Sequence, residues 1–133
     1  MAGPPGRPDK QRRIPGVADD TGRLGEEHAA RYLEGRGCRL RERNWRCAQG
    51  EIDLIVTDGD HLVFVEVKTR AAGGGYPPVL AMTRRKQKQV RELALRYIEQ
   101  AFGGKPPPLQ PRFDVVLVVL GREPQVEHLV NVF

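Results

Sequence analysis

Residues 50–70 read GEIDLIVTDGDHLVFVEVKTR, and the fold turns on how they are read. "EIDLIV" (51–56) predicts a short strand. "TDGD" (57–60) predicts a hairpin turn with Asp58-Gly59 at its centre. "HLVFVEVKT" (61–69) predicts a longer strand. Three charged groups interrupt these apolar runs: Asp53 in the first, Glu66 and Lys68 in the second. Charge inside a buried sheet is costly unless it is paired or binds a metal. Residues i and i+2 of a strand point the same way, so Leu62, Phe64, Glu66 and Lys68 share one face and Val63, Val65 and Val67 the other. Asp53, on the partner strand, comes within cross-strand reach of Glu66.

Upstream, "GRLGEEHAARYLEGRG" (22–37) predicts a helix that ends at Gly35 or Gly37. With Leu24 at zero and about 100° per residue, Tyr32, Ala29, Leu33 and Ala30 form one apolar arc. Glu26 falls inside that arc and Glu27 outside it, so Glu26 is expected to face the body of the protein. Residues 1–21 are rich in Pro, Gly and charge and read as a disordered basic arm. The expected organisation is that arm followed by a single domain over 22–133.

"RLRERNWR" reads as an edge-like strand. Downstream of the hairpin, "RAAGGGYPP" reads as a flexible loop. "TRRKQKQVRELALRYIEQAF" (83–102) reads as a second helix with Val90, Leu93, Ala94, Tyr97, Ile98 and Ala101 on one face. "RFDVVLVVL" is nearly continuous in apolar residues, as in a strand buried on both faces. "VEHLVNVF" closes the chain as a further strand. The order defines an α/β sandwich around a mixed sheet flanked by helices.

The chain has 133 residues, a net charge of +5 and 39% hydrophobic residues, which suits one domain with an ordinary core. The charge favours a polyanionic partner. No apolar run reaches the ~18 residues that span a bilayer, and the N-terminus lacks the apolar core of a secretory signal. A cytoplasmic, membrane-free protein is expected, with Cys38 and Cys47 reduced.

An isolated Glu-x-Lys on a strand is more often an ion pair than a site. Here Asp53 and Glu66 lie among apolar residues and Glu26 lies on an apolar arc, which shifts the balance. Clustered carboxylates repel one another, and a hard divalent cation relieves the conflict. Magnesium takes a few carboxylate oxygens together with waters and phosphate. A neighbouring lysine orients a water or neutralises developing charge. These are the parts of a metal-assisted phosphodiester hydrolase. Glu51 is read either as a supporting group or as an exposed turn residue, and Asp114 as structural. "TRRKQK" puts Arg84, Arg85, Lys86 and Lys88 at a helix N-terminus, where cations oppose the helix dipole. Contact with phosphates and a solvated charge run are about equally good readings of it. Trp45 is assigned to the core or to a dimer interface, and the scattered histidines to no catalytic role.

Asp53, a hairpin, then Glu66-Val67-Lys68 resembles the PD-(D/E)xK nuclease superfamily, with Ile52 in place of the proline. Glu26 resembles the helical glutamate of archaeal Holliday-junction resolvases. A closer resemblance covers about residues 22–118. "GRLGEEHAARYL", "RERNWR", "GEIDLI", "LVFVEVKTR", "TRRKQ" and "RFDVV" look like consecutive blocks of the YraN-like family of uncharacterised bacterial proteins. After Glu-x-Lys-x-Arg the family has Phe-Gly where this chain has "GGGYP", with Tyr76 the nearest aromatic.

The resemblance implies a restriction-endonuclease-like αβββαβ core. By analogy it also implies an endonuclease that uses Mg²⁺ or Mn²⁺ on DNA, with branched DNA among its substrates. Asp53, Glu66, the Val67 carbonyl and Glu26 would hold the metal. Lys68 would position water, and Arg46, Arg70, Arg84, Arg85, Lys86 and Lys88 would touch nucleic acid. A homodimer suits a branched substrate. The rival expectation is a catalytically silent binding or scaffold module on the same fold, and the residues leave RNA open as a substrate.

Overall fold

The computed structural model describes residues 18–73, 83–105 and 107–133. The arm residues Arg7, Lys10, Arg12 and Arg13, and Tyr76 with its loop, lie outside the described residues. Two helices and five strands follow in the order α1 (Ala18–Gly35), β1 (Arg39–Cys47), β2 (Gly50–Asp58), β3 (His61–Ala71), α2 (Arg84–Phe102), β4 (Gln110–Leu120) and β5 (Gln125–Leu129). The sheet order is β1-β2-β3-β4-β5. β3 and β4 run parallel and every other neighbouring pair is antiparallel. This is the expected α/β architecture, consistent with a restriction-endonuclease-like core.

The alternation in β3 sorts the two layers as its sequence demands. Val63 and Val65 pack with Leu54, Val56, Val116 and Val118 beneath Ala29, Ala30 and Leu33 of α1. Leu62 and Phe64 pack with Ile52 and Ile55 beneath Leu93, Ala94 and Tyr97 of α2. Helix α1 begins at Ala18, ahead of the expected Gly22. Its buried stripe centres on Ala29, Ala30 and Leu33, while Leu24 is 50% exposed. A close approach one residue on seats the helix. A Cβ at Gly25 would lie 1.8 Å from Thr69 Oγ1, so the backbone of α1 rests on β3 at Gly25 and Leu24 turns outward.

Helix α2 has the predicted face, with Val90, Leu93, Ala94 and Tyr97 buried. Ala101, expected on that face, is exposed, and Ile98 is half-buried. Thr83 caps the helix by accepting the Lys86 N–H (3.1 Å). Gly103 ends it in a left-handed conformation (φ 64°). β4 is buried through Asp114–Val118, as its composition predicts. The β2–β3 turn is shifted by one residue from expectation. Asp58 pairs with His61, so Gly59 and Asp60 are the central residues. Gly59 has φ 61°, which suits a hairpin turn with glycine at its first central position.

The main surprise is a break in the pleat. Leu54 belongs to the α1 layer, yet Ile52 belongs to the α2 layer, although the two should share a face. The break falls at Asp53. Across from it in β1, between Arg43 (opposite Leu54) and Trp45 (opposite Ile52), stands Asn44 with φ 50°. Asparagine tolerates this left-handed conformation better than most residues. It sends Arg43 to Glu27 of α1 (3.0 Å) and Trp45 to Gln100 of α2 (3.0 Å). Trp45 is therefore a packing residue, edge-on to Tyr97 at 5.4 Å. Asn44→Gly is expected to leave stability nearly unchanged. Asn44→Val should lose about 1–2 kcal/mol, read from the urea midpoint at constant m-value.

Candidate active site

The paired break opens a fork between β2 and β3. Their backbone register runs from Asp58↔His61 to Leu54↔Val65. One residue further on, the Asp53 side chain takes over: its Oδ2 accepts the Val67 N–H at 2.9 Å. The carboxylate thus stands where a strand carbonyl would otherwise be, and its charge is held at the mouth of the fork. β3 continues beside β4 to Ala71↔Leu120, so Glu66 and Lys68 project from a strand still supported on its other edge.

A cavity of about 300 Å³ fills the fork. Its walls bring together Glu51, Asp53, Glu66, Val67, Lys68 and Lys86. Lys68 Nζ lies 2.9 Å from Glu66 Oε2, and Lys86 Nζ lies 3.6 Å from Glu66 Oε1. The Glu66 side chain is 19% exposed, which strengthens these pairings relative to bulk water.

Of the expected catalytic and metal set, Asp53, Glu66, Val67 and Lys68 meet in this cavity. Glu26 is not among the residues lining it. It lies on α1, which covers the Val63 and Val65 face, whereas Glu66 and Lys68 share the face of Leu62 and Phe64 under α2. Its neighbour Glu27 is a surface ion-pair residue bound by Arg43 and Arg31. The hydrogen bond from Arg43 holds Glu27 below the usual carboxylate range.

Of the expected nucleic-acid contacts, only Lys86 lines the cavity. Arg84, Arg85 and Lys88 are exposed in the first turns of α2. Arg70 donates to the Ala71 carbonyl at 3.3 Å. Arg46 stands 3.5 Å from Glu51.

Of the two readings left open for Glu51, the cavity favours the supporting group, and Phe133 joins the wall without having been expected there. The Glu51 side chain is 8% exposed and faces the cavity; its i, i+2 spacing from Asp53 was the available signal. β5 ends at Leu129, and the chain turns at Asn131 (φ 58°). Phe133 then stacks on Phe113 at 4.9 Å beneath the Arg91 guanidinium.

The turn is anchored by Asp114, which is 1% exposed and backs the cavity. Its carboxylate accepts from Arg112 Nε (3.0 Å), Arg112 Nη2 (2.9 Å), His128 Nε2 (2.7 Å) and the Asn131 N–H (2.9 Å). Burial pushes the Asp114 carboxyl up. The hydrogen bonds from His128, Arg112 and Asn131, with the charge of Arg112, outweigh it and hold the group below its ordinary value. Arg112 also reaches Asp58 at 3.0 Å. Asp114 is thus structural, as expected. His128 is a hydrogen-bond donor to it.

Both cysteines are free thiols, and burial pushes the Cys38 thiol up. Among the described residues no helix is long and apolar enough to cross a membrane.

Fold and site together define an α/β protein, consistent with a restriction-endonuclease-like core, with a forked, carboxylate-lined cavity between the interior strands β2 and β3. Residues 25–118 match the model of the uncharacterised protein family UPF0102, the YraN-like family, and the chain belongs to it. A UPF0102 protein of Pelotomaculum thermopropionicum is 46% identical over 115 residues, covering 84% of this chain and 93% of the relative. One of Rhodococcus opacus is 43% identical over 114 residues, covering 84% and 94%. One of Streptomyces coelicolor is 49% identical over 110 residues, covering 80% and 83%.

Proposed function

We propose that the protein is a metal-dependent phosphodiesterase acting on nucleic acid, an endonuclease of DNA by resemblance. The observation that carries this reading is the Asp53–Val67 hydrogen bond. It holds one carboxylate in the fork beside a second, Glu66, whose lysine neighbour is 2.9 Å away. Carboxylate and carbonyl oxygens are hard donors, and they suit Mg²⁺ or Mn²⁺.

Asp53, Glu66 and the Val67 carbonyl would hold the ion. Among the described residues no group of three or more His, Cys, Asp or Glu side chains is placed to hold a metal. Magnesium takes one or two carboxylates and completes its shell with water and phosphate. When bound, the ion supplies Lewis-acid stabilisation of the phosphate and lowers the pKa of a water. Lys68 orients the attacking water and places positive charge beside the reacting phosphate. Glu51, 8% exposed and 3.5 Å from Arg46, lines the same cavity. Glu26, on α1 over the Val63 and Val65 face, would join the ion directly or through a bridging water.

The second reading is a silent nucleic-acid-binding module. The pairing of both lysines with Glu66, which leaves that carboxylate compensated by charge, favours it. The deciding experiment incubates labelled single-stranded, duplex, flap and four-way-junction DNA, and one RNA duplex, with the full chain in Mg²⁺, Mn²⁺ or EDTA. Cutting that needs the ion and favours one substrate is the expected result. Binding without cutting, indifferent to the ion, would establish the silent module instead.

A further inference from the structure

We propose that Lys86 is a phosphate-binding residue of the cavity that is parked on Glu66 and released when a divalent cation occupies that carboxylate. The inference rests on the phosphodiesterase reading of the site and adds to it a coupling between cation and substrate binding.

The two lysines on Glu66 are not equivalent. Lys68 comes from the same strand, and its 2.9 Å contact is a charge-assisted hydrogen bond. Lys86 comes from the first turn of α2, and its 3.6 Å contact with the other oxygen lies beyond hydrogen-bond distance. It is held by charge alone, with the side chain 41% exposed.

A dication on Glu66 repels both ammonium groups, and the looser one moves. Lys86 has a flexible four-carbon stem, and its ammonium already lines the cavity. A substrate phosphate entering the cavity is then an anion within its reach. The backbone N–H of Lys86 is taken by the Thr83 cap, so the anion contact falls to the side chain and not to the helix terminus. Exposed Arg84, Arg85 and Lys88 on the same turns make the approach electropositive. The arrangement keeps Lys86 away from nucleic acid until the ion is in place.

The test compares wild type, Lys86→Gln and Lys86→Arg as full chains. Binding of a fluorescein-labelled four-way junction is followed by anisotropy across an NaCl series, in Ca²⁺ and in EDTA. With Ca²⁺, Lys86→Gln should reduce the slope of log K against log salt by about one, the value of one phosphate contact, and Lys86→Arg should keep it. In EDTA the slope should be the same in all three proteins. A parallel Mn²⁺ titration should show Lys86→Gln binding the ion as tightly as wild type or up to about fivefold tighter, because a competing surface ion pair is gone.

A Lys86→Gln slope equal to wild type in Ca²⁺ would overturn the proposal. So would an equal slope loss in EDTA, or weaker Mn²⁺ binding by Lys86→Gln. Cleavage of the junction by wild type in Mg²⁺ is measured alongside. Its absence would defeat the phosphodiesterase reading while the slopes still decide Lys86. Cleavage with an unaltered Lys86→Gln slope would defeat the Lys86 assignment alone. Absence of any binding by wild type would defeat both.

Discussion

Asp53→Asn is expected to lower Mg²⁺-dependent cleavage by at least about a thousandfold and to leave the protein folded. Of the two carboxylates that would hold the ion, this change neutralises the one at the mouth of the fork. A bound metal supplies several kcal/mol of transition-state stabilisation, and about 4 kcal/mol corresponds to a thousandfold in rate. The fold survives because the asparagine carbonyl oxygen still accepts the Val67 N–H that Asp53 Oδ2 accepts at 2.9 Å. The fork stays propped open. Replacing the charge also relieves repulsion from Glu51 and Glu66 across the cavity, so the unfolding free energy should change by less than about 1 kcal/mol. Asp53→Ala removes both charge and acceptor. It should be equally inactive and also lose about 1–2 kcal/mol of stability from the stranded Val67 N–H. Initial cleavage rates and urea titrations of the three proteins separate the two roles. An Asp53→Asn protein that cuts within tenfold of wild type would remove Asp53 from the chemistry. One as unstable as Asp53→Ala would remove the hydrogen bond from the account of the fork.

What made Asp53, Glu66 and Lys68 legible from sequence was strand parity over a short hairpin. A slip of one residue in the turn did not matter, because Leu62 to Lys68 lie on one continuous strand whose alternation is sharp. The face of α2 was legible for the same reason: a period sustained over several turns averages out an error such as Ala101. The fork was not legible. Parity assumes an unbroken pleat, and Asn44 and Asp53 break it together, a pairing that exists only once β1 and β2 are aligned. Glu26 shows a different limit. A helical wheel sorts residues by face, and it separates Glu26 from Glu27 although both are half-buried. It says nothing about which side of a sheet the helix will cover. Leu24 lies outside the arc that runs from Tyr32 to Ala30, and it is exposed; what the wheel does not show is that α1 is seated by the bare backbone of Gly25 on Thr69. Phe133 and the partners of Asp114 were out of reach because they come from separate segments joined only in three dimensions.

Asp114→Asn is the substitution expected to cost the most stability, about 3 kcal/mol at neutral pH. The wild-type carboxylate is 1% exposed and accepts four hydrogen bonds, two from Arg112, one from His128 and one from the Asn131 N–H. Removing one partner of a buried ion pair leaves the other charge uncompensated, a loss of roughly 3–5 kcal/mol. Asp58 still lies 3.0 Å from Arg112, which places the loss at the lower end. The pH dependence follows from the depressed Asp114 carboxyl. Its folded value lies below its unfolded value, so the stabilisation is fully present above about pH 4. It is lost as pH falls through the folded value. The gap in unfolding free energy between wild type and Asp114→Asn should therefore be widest near pH 7 and narrow towards pH 3, as urea titrations at the two pH values would read. A gap below 1 kcal/mol at pH 7, or one that does not narrow in acid, would show that the Arg112 and His128 contacts contribute little. The effect reaches the cavity as well. Asn131 turns the chain back under Asp114 and so carries Phe133 onto Phe113. Losing the carboxylate that accepts the Asn131 N–H therefore loosens the aromatic wall of the site while leaving Asp53, Glu66 and Lys68 on their own strands. Asp114→Asn should keep the ion requirement of wild type at temperatures where it remains folded. An inactive but folded variant would mean that the Phe133 wall is part of what the substrate must touch.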